Sequence, residues 1–172
     1  MPNILPELTF QYSPRYSSHI PILIKIFEMS KGPVLEMGSG IFSTPLLHWL
    51  CLETKRKLVT YENYVEHYEM NKVFASDTHE IIFTNDWDSI KIDDTHWGMA
   101  FIDHEPTQRR VIDIKRLKDN TDFVVVHDTE ESHDSMFGYI ENAFPLFKYR
   151  YNYKRRRPYT SILSNLVDVT KL

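Results

Sequence analysis

Two spacings of apolar residues alternate along this chain, one typical of helices and one typical of strands. The helical spacing is clearest in a segment whose predicted apolar face carries Ile20, Leu23, Ile24 and Phe27. Ser18 is the expected N-cap of this helix, and Gly32-Pro33 is expected to follow its end. Similar spacing predicts further helices capped by Thr44, over 64–75, over 107–118 and around 137–144.

Short runs of β-branched and aromatic residues predict strands between these helices, at 34–37, 57–62, 80–84, 98–103 and 123–127. The last of these runs is apolar without interruption, which favours burial on both faces of a parallel sheet. Two further strands are predicted at 147–153 and 160–165. The expected fold class is therefore α/β, a three-layer α/β/α sandwich with a mostly parallel sheet and a C-terminal antiparallel hairpin.

The length and composition of the chain fit one globular domain. With 172 residues, of which 42% are hydrophobic and 26% charged, the chain can bury one core. We expect an N-terminal segment and helix at 1–32, a β/α core at 33–146 and the hairpin at 147–172. Residues 1–13 are a candidate lid over the site.

Charge and cysteine content narrow the class of protein further. The formal net charge of −4 argues against a general nucleic-acid binder. The single cysteine, Cys51, excludes an internal disulfide, and the lack of a secretory or membrane-spanning segment makes the cytoplasm the expected compartment. A basic run is the local exception, and it is either a solvated turn or a contact for an anionic ligand: Lys154, Arg155, Arg156 and Arg157.

Ionisable residues recur where the predicted parallel strands end. Glu36, Glu62, Asp103 and the pair His127-Asp128 follow four of them. The carboxyl ends of parallel strands meet at one edge of a sheet, and ligands bind there. The sequence therefore predicts a single acidic crevice.

A glycine loop lies at the same edge. Gly38-Ser39-Gly40 follows the first strand directly and precedes a helix, so a ligand can approach the backbone closely beside a helix N-terminus. Glu62 lies 22 residues beyond Gly40, where a carboxylate can accept hydrogen bonds from both ribose hydroxyls. Ser43 stands where a dinucleotide fingerprint would have its third glycine, so a nucleoside cofactor is expected but its class is open.

The stretch 34–44, VLEMGSGIFST, resembles motif I of the class I S-adenosylmethionine-dependent methyltransferases. The resemblance continues at Tyr61-Glu62, at Asn85-Asp86-Trp87, at 101–104 (FIDH) and at 124–128 (VVVHD), and so covers nearly the whole chain. It implies a seven-stranded sheet of order 3-2-1-4-5-7-6 with the last strand antiparallel. Within the class, the chain looks most like enzymes that methylate hydroxyl groups of small molecules or sugars.

The resemblance also implies S-adenosylmethionine as cofactor and assigns roles to residues. Glu36 would lie near the methionine amino group, Glu62 would hold the ribose, and Asp86 with Trp87 would cover the adenine. An acidic crevice suits a sulfonium and an ammonium group better than a pyrophosphate, which favours this cofactor over NAD. The expected cofactor-binding residues are Glu36, Gly38, Ser39, Gly40, Ser43, Thr44, Glu62, Asn63, Asp86, Trp87 and Asp103.

Methyl transfer to a hydroxyl group often needs a base, and His104 and His127 are the candidates, with Asp103 orienting either one. Each histidine also has a plain structural interpretation, as a solvated loop residue or as a partner of the backbone. One branch of the family binds Mg²⁺ through an Asp after strand four and an Asp-Asn pair after strand five. Asp103 and Asp128 are the candidate ligands here, although Thr129 stands where the Asn would be.

The predicted function is S-adenosylmethionine-dependent O-methylation of a small-molecule or sugar-like acceptor. Two alternatives stay open, a nicotinamide-dependent oxidoreductase and a non-catalytic cofactor-binding module of the same fold. The expected partner is a small-molecule acceptor, and a second copy of the chain is a further candidate because the open crevice lacks an inserted cap.

Overall fold

The computed structural model describes residues 13–172, so the candidate lid at 1–13 falls almost wholly outside the described residues. Within 13–172 the chain forms a central sheet whose strands are β1 Val34–Met37, β2 Leu58–Glu62, β3 His79–Phe83, β4 Trp97–Ile102, β5 Thr121–His127, β6 Tyr149–Tyr153 and β7 Thr160–Ser164. The helices are α1 Ile20–Met29, α2 Ser43–Thr54, α3 Val65–Asn71, α4 Arg109–Leu117, α5 Asp134–Phe137 and α6 Tyr139–Asn142. Short 3₁₀ turns cover Pro14–Ser17, Lys72–Phe74, Glu131–His133 and Phe144–Leu146.

The strand order is β3-β2-β1-β4-β5-β7-β6, as the resemblance implies. Strands β1 to β5 pair in parallel, whereas β7 is antiparallel to both β5 and β6. The predicted fold class is therefore confirmed. Because β1 pairs in parallel with β2 on one side and with β4 on the other, the carboxyl ends of these three strands lie side by side at one edge of the sheet.

Two apolar layers hold the sandwich together, one on each face of the sheet. Successive residues of a strand point to opposite faces, so Leu35 and Met37 pack in one layer and Val34 in the other. Helix α4 packs on the first layer through Ile114, while α1 and α2 pack on the second. Complete burial of a side chain the size of Ile114 stabilises the fold by about 2 kcal/mol.

Two predicted helix starts and one predicted helix differ from the structure. His19 occupies the N-cap position of α1 without a side-chain hydrogen bond, and Ser18 faces the site instead. Helix α2 begins at Ser43, so Thr44 lies inside its first turn. The segment predicted as one helix around 137–144 is broken because Gly138 adopts a left-handed conformation, with φ of +73°, between α5 and α6.

Among residues 13–172, no helix is both long and apolar enough to cross a membrane.

Candidate functional site

A cavity of about 640 Å³ opens at the carboxyl ends of β1, β2, β4 and β5, where the sequence predicts the crevice. It brings together most of the predicted site residues, namely Gly38, Ser39, Gly40, Ser43, Glu62, Asp103, His104, His127 and Asp128. The other predicted residues do not line it: Glu36, Thr44, Asn63, Asp86 and Trp87.

The first glycine of the loop packs against the protein itself. Gly38 has φ of +87°, and a Cβ placed on it would lie 2.6 Å from the Cα of His104. A Cβ on Gly40 would meet only the hydroxyl of Ser43, at 3.0 Å. The sequence predicts close approach of a ligand to both glycines. In the structure, a glycine is needed at position 38 because the backbone of the loop after β4 packs directly against it.

Glu62 holds the glycine loop in place. Its Oε2 accepts hydrogen bonds from the backbone N–H of Ser39 at 2.7 Å and from the Ser39 hydroxyl at 2.8 Å. Its Oε1 accepts from the backbone N–H groups of Asn63 and Tyr64, at 2.8 and 2.7 Å. A carboxylate offers about four acceptor positions, so a ribose hydroxyl would have to share or replace one of these donors.

Glu36 lies under the loop and not on the cavity wall. Its Oε2 accepts from the hydroxyls of Thr44 and Thr60, at 2.9 and 2.8 Å, and Thr44 accepts from the backbone N–H of Gly40. Complete burial raises the pKa of Glu36 to about 7. In this arrangement Glu36 and Thr44 support the loop from below and do not line the cavity, and the position of Glu36 near the cofactor's amino group stays a prediction.

The turn after β3 also lies away from the cavity. Asp86 is exposed, and its carboxylate accepts from the backbone N–H of Asp88 at 2.9 Å. Trp87 is buried against His104, with ring centroids 4.3 Å apart, and its indole N–H donates to the carbonyl of Glu105 at 2.9 Å. The indole N–H needs a buried acceptor, and that contact directs the ring into the core. Neither Asp86 nor Trp87 lines the cavity, and their contact with adenine stays a prediction.

His104 is held by a buried carboxylate. Its Nε2 lies 3.1 Å from Oδ2 of Asp113, which Arg109 and Arg116 also contact. Burial lowers the pKa of His104, and the Asp113 partner opposes that shift. Its Nδ1 is buried and has no hydrogen-bond partner among residues 13–172. The ring borders the cavity, but this nitrogen is not presented to it.

An arginine that sequence reasoning missed joins the ends of β4 and β5. Arg110 of α4 contacts Asp103 at 3.1 Å and Asp128 at 3.2 Å, and its Nε donates to the carbonyl of His104 at 2.6 Å. These two carboxylates were the predicted Mg²⁺ ligands. The guanidinium uses their oxygens and repels a dication at that position, so the pair does not fit the Mg²⁺ site of the family.

His127 lies between a hydroxyl and a carboxylate. Its Nε2 is 3.0 Å from the hydroxyl of Ser18, and its Nδ1 is 3.3 Å from Oδ1 of Asp103. Burial opposes a charge on the ring, but Asp103 and Asp128 together outweigh burial, and the pKa of His127 is raised. Burial would likewise raise the pKa of Asp103, but His127 and Arg110 hold it well below its usual value.

A second histidine that sequence reasoning missed lies beside this pair. His19 is 3% exposed, its ring centroid is 5.0 Å from that of His127, and it lines the cavity. Burial and the neighbouring His127 lower the pKa of His19 to about 4. The sequence around His19 gives no sign of this contact, because His19 precedes an ordinary amphipathic helix. It is far from His127 along the chain, and only the folded structure brings the two residues together.

The charged side chains on the wall are mostly acidic. Four carboxylates line the cavity, from Glu62, Asp103, Glu105 and Asp128, against two guanidinium groups, from Arg15 and Arg110. Tyr64, His67 and Met70 complete the wall near Glu62 and were also not predicted. The wall therefore favours a ligand with positive charge.

The basic run forms an exposed turn between β6 and β7. Lys154 lies 3.7 Å from Glu131, and the guanidinium of Arg157 stacks over the ring of Tyr159. Pro158, which follows the run, lines the cavity and accepts a hydrogen bond from Ser18. The turn thus adjoins this cavity only through Pro158, whereas Lys154 and Arg157 line a separate cavity.

No protein-family model matches this sequence, and no curated protein matches it. Solved structures do match the fold. The cofactor-bound protein Rv0187 from MTB has a TM-score of 0.66 at 16% identity, with 96% of this chain and 84% of that chain covered. The N-terminal domain of human METTL16 in complex with SAH has a TM-score of 0.61 at 10% identity, with 92% and 73% covered.

A methyltransferase from Pyrococcus furiosus has a TM-score of 0.59 at 16% identity, with 95% of this chain and 92% of that chain covered. Identities at this level establish the fold alone. Together with the strand order and the loop after β1, they show that this chain has the class I S-adenosylmethionine-dependent methyltransferase fold.

Proposed function

We propose that this protein is an S-adenosylmethionine-dependent methyltransferase that methylates a hydroxyl group of a small or sugar-like molecule. One observation carries the proposal. A single cavity has the glycine loop and Glu62 on one side, and Asp103 with His127 on the other. This arrangement provides a place for a nucleoside cofactor next to groups that can take a proton.

The chemistry of the wall supports the cofactor. When bound, S-adenosylmethionine supplies an electrophilic methyl group on a positively charged sulfur. The carboxylates that outnumber the guanidinium groups on the wall stabilise a sulfonium and an ammonium group, and they repel the pyrophosphate of a dinucleotide. This charge balance is the reason to prefer methyl transfer over nicotinamide-dependent oxidation.

The acceptor side of the proposal rests on the ring of His127. When the ring is neutral, Nδ1 of His127 can take the proton of an acceptor hydroxyl group bound beside it, and the carboxylate of Asp103, 3.3 Å from Nδ1, stabilises the imidazolium that forms. Ser18 and Pro158 fix the ring orientation through Nε2. His104 is a weaker candidate because its free nitrogen is buried.

The basic turn is the proposed contact for an anionic group on the acceptor. Arg155 and Arg156 are exposed in the turn that leads to Pro158 on the cavity wall, so they can bind a phosphate or carboxylate without being desolvated. We infer no nucleic-acid partner from this run, since the wall of the adjoining cavity is mostly acidic.

Isothermal titration with S-adenosylmethionine and S-adenosylhomocysteine, with NADH as comparison, tests the cofactor. We expect micromolar binding of both sulfur ligands and none of NADH. Glu62→Ala is expected to weaken their binding by about 1–3 kcal/mol, while Glu141→Ala, at an exposed helix position, is expected to leave it unchanged. Saturable NADH binding, or silence from both sulfur ligands, would overturn the assignment.

Transfer of a labelled methyl group to a panel of hydroxylated acceptors tests the reaction. Once an acceptor is found, His127→Gln should lower kcat by about 10²–10⁴-fold while the affinity for S-adenosylhomocysteine stays within a fewfold of wild type. Cofactor binding without transfer to any acceptor would favour the non-catalytic module.

A further inference from the structure

Three side chains from distant parts of the chain converge at one end of the cavity. His19 precedes α1, Asp103 follows β4 and His127 ends β5. One ligand-type atom of each lies within 4.8 Å of the corresponding atoms of the other two, and all three residues line the cavity. Two imidazoles and one carboxylate are a ligand set suited to first-row divalent metal ions.

Hydrogen-bond accounting at His127 leaves one nitrogen in need of a cation. The hydroxyl of Ser18 donates to the carbonyl of Pro158 at 2.7 Å, so toward Nε2 of His127 it can only accept, and Nε2 carries the proton. In the neutral ring, Nδ1 is then a bare lone pair. It faces carboxylate oxygens of Asp103 and Asp128, at 3.3 and 3.5 Å. Either a proton or a metal ion must lie between these acceptors.

His19 provides an independent observation. Both of its ring nitrogens are buried and lack a hydrogen-bond partner among residues 13–172. A buried polar group without a partner destabilises the folded protein, and native proteins rarely contain one without a reason. A metal ion shared with His127 would satisfy one nitrogen of His19.

The charge around the three residues also favours a dication. Asp103, Asp128 and Glu105 surround Arg110, at 3.1, 3.2 and 3.9 Å. One guanidinium group compensates only one of the three carboxylates. Arg110 closes the predicted Mg²⁺ position between Asp103 and Asp128. It also contacts Oδ1 of Asp103 at 3.1 Å, but this oxygen has a second lone pair and lies 3.3 Å from Nδ1 of His127, so it can bind an ion shared with the histidines.

We propose that His19, Asp103 and His127 bind a first-row divalent transition-metal ion of the Zn²⁺ class. Zinc binds histidine nitrogen and carboxylate oxygen at about 2.0–2.2 Å, which places ligand atoms of a tetrahedral site about 3.3 Å apart. The Nδ1–Oδ1 separation of His127 and Asp103 already has this value. The three ligand atoms lie within 4.8 Å of one another, so binding requires the ring of His19 to approach by up to about 1.5 Å.

Three protein ligands leave one coordination position open toward the cavity. Ser18 acts as the outer partner that fixes the tautomer of His127, as hydrogen-bonded partners do for metal-bound histidines. If the proposed methyl transfer holds, a bound ion would replace Nδ1 of His127 as the group that activates the acceptor. The open position would bind the acceptor oxygen and lower the pKa of its hydroxyl group, whose proton would pass to solvent. Only that use of the metal rests on the proposed function; metal binding itself does not.

Titration of the untagged, EDTA-treated protein with Zn²⁺, Co²⁺ and Mg²⁺ tests the site. We expect one equivalent of Zn²⁺ to bind at micromolar concentration or tighter and to raise the melting temperature of the wild type, whereas Mg²⁺ binds at least 100-fold more weakly. Co²⁺ should give visible absorption bands of low coordination number, and Zn²⁺ should remove them. These measurements on the wild type need no variant to fold.

Variants locate the ion. His19→Gln and His127→Gln should each weaken Zn²⁺ binding at least 100-fold. The His127→Gln protein prepared for the methyl-transfer assay is also used for this titration. His96→Gln is the matched control, because His96 forms an exposed pair with Asp122 at 2.9 Å that offers a surface site of similar atoms. It should leave the binding unchanged.

Three results would overturn the proposal. The first is the absence of Zn²⁺ binding to the wild type, and the second is binding that is lost in His96→Gln but kept in His19→Gln. The third is a ¹⁵N spectrum in which both nitrogens of His127 stay protonated at saturating Zn²⁺, which would show that a proton holds the Asp103 contact. Failure of Zn²⁺ binding while S-adenosylmethionine still binds would leave the proposed function standing.

Discussion

A network of buried polar side chains runs from the glycine loop to His48, on the buried side of α2. Thr60 donates its hydroxyl proton to Glu36, so it must accept from Nε2 of His79, at 2.8 Å. Nδ1 of His79 is then an acceptor, and it lies 3.2 Å from Nδ1 of His48, which donates. Every donor in this hydrogen-bond network points toward Glu36. The second carboxylate oxygen of Glu36, Oε1, has no hydrogen-bond partner among the described residues.

The raised pKa of Glu36 predicts a pH-dependent cost to stability. The pKa is about 7 in the folded protein against 4.5 in the unfolded chain, so stability is fully present below pH 4.5 and falls as the pH rises to and through 7. The full loss is about 3 kcal/mol. Glu36→Gln cannot ionise and keeps an acceptor for Thr44 and Thr60, so it should lose much less of its unfolding free energy over this range.

Urea denaturation of the ligand-free protein on either side of this range checks the prediction. Glu53→Gln, on the exposed side of α2, is the control and should follow the wild type. If Glu36→Gln tracks the wild type at both ends of the range, Glu36 is not the group that titrates.

At the scale of elements, the loop after β1 and the loop after β4 fit together backbone to backbone. We expect Gly38→Ala to lower the unfolding free energy by roughly 2–4 kcal/mol, because a Cβ at φ of +87° is strained and would also overlap the backbone of His104. Gly40→Ala meets only the Ser43 hydroxyl and should cost less than about 1 kcal/mol. Urea midpoints of the two variants decide, and equal costs would contradict the loop-packing argument.

The elements themselves were largely predictable from local patterns. The apolar run of β5 predicts a central parallel strand, and the structure places it between β4 and β7. The prediction of one continuous helix around 137–144 is wrong. The helical spacing of the apolar residues does not reveal that Gly138 adopts a left-handed conformation and interrupts the helix. Local sequence also predicts a turn at Asp86-Trp87 but not how deep it lies, since the depth of Trp87 depends on the carbonyl of Glu105.

Only those site residues that lie at the ends of parallel strands were predictable from the sequence. The sequence indicates which residues end parallel strands, so Glu62, Asp103 and His127 were found. It does not show which partner a side chain meets across the fold. His19 and Arg110 reach the cavity from helices whose periodicity reports only their buried faces, and both change the chemistry expected there.

At the scale of the whole molecule, the wall of the cavity has a charge that no single element determines. Its carboxylates come from the ends of β2, β4 and β5 and outnumber the guanidinium groups of Arg15 and Arg110. S-adenosylmethionine carries one more positive charge than S-adenosylhomocysteine. The wall should therefore discriminate between the two ligands by electrostatics, and added salt should reduce the discrimination.

We predict that the affinity for S-adenosylmethionine falls severalfold as ionic strength rises from about 0.01 to about 1 M, because the Debye length shortens from about 30 to about 3 Å. The affinity for S-adenosylhomocysteine should change much less. Glu105→Gln removes a half-exposed carboxylate from the wall and should reduce the preference for the charged ligand by about two- to fivefold, corresponding to about 1 kcal/mol or less. Glu141→Gln should leave it unchanged. Parallel salt dependence of the two ligands in calorimetric titrations would mean that the sulfonium does not sense the wall, and the charge argument for this cofactor would fail.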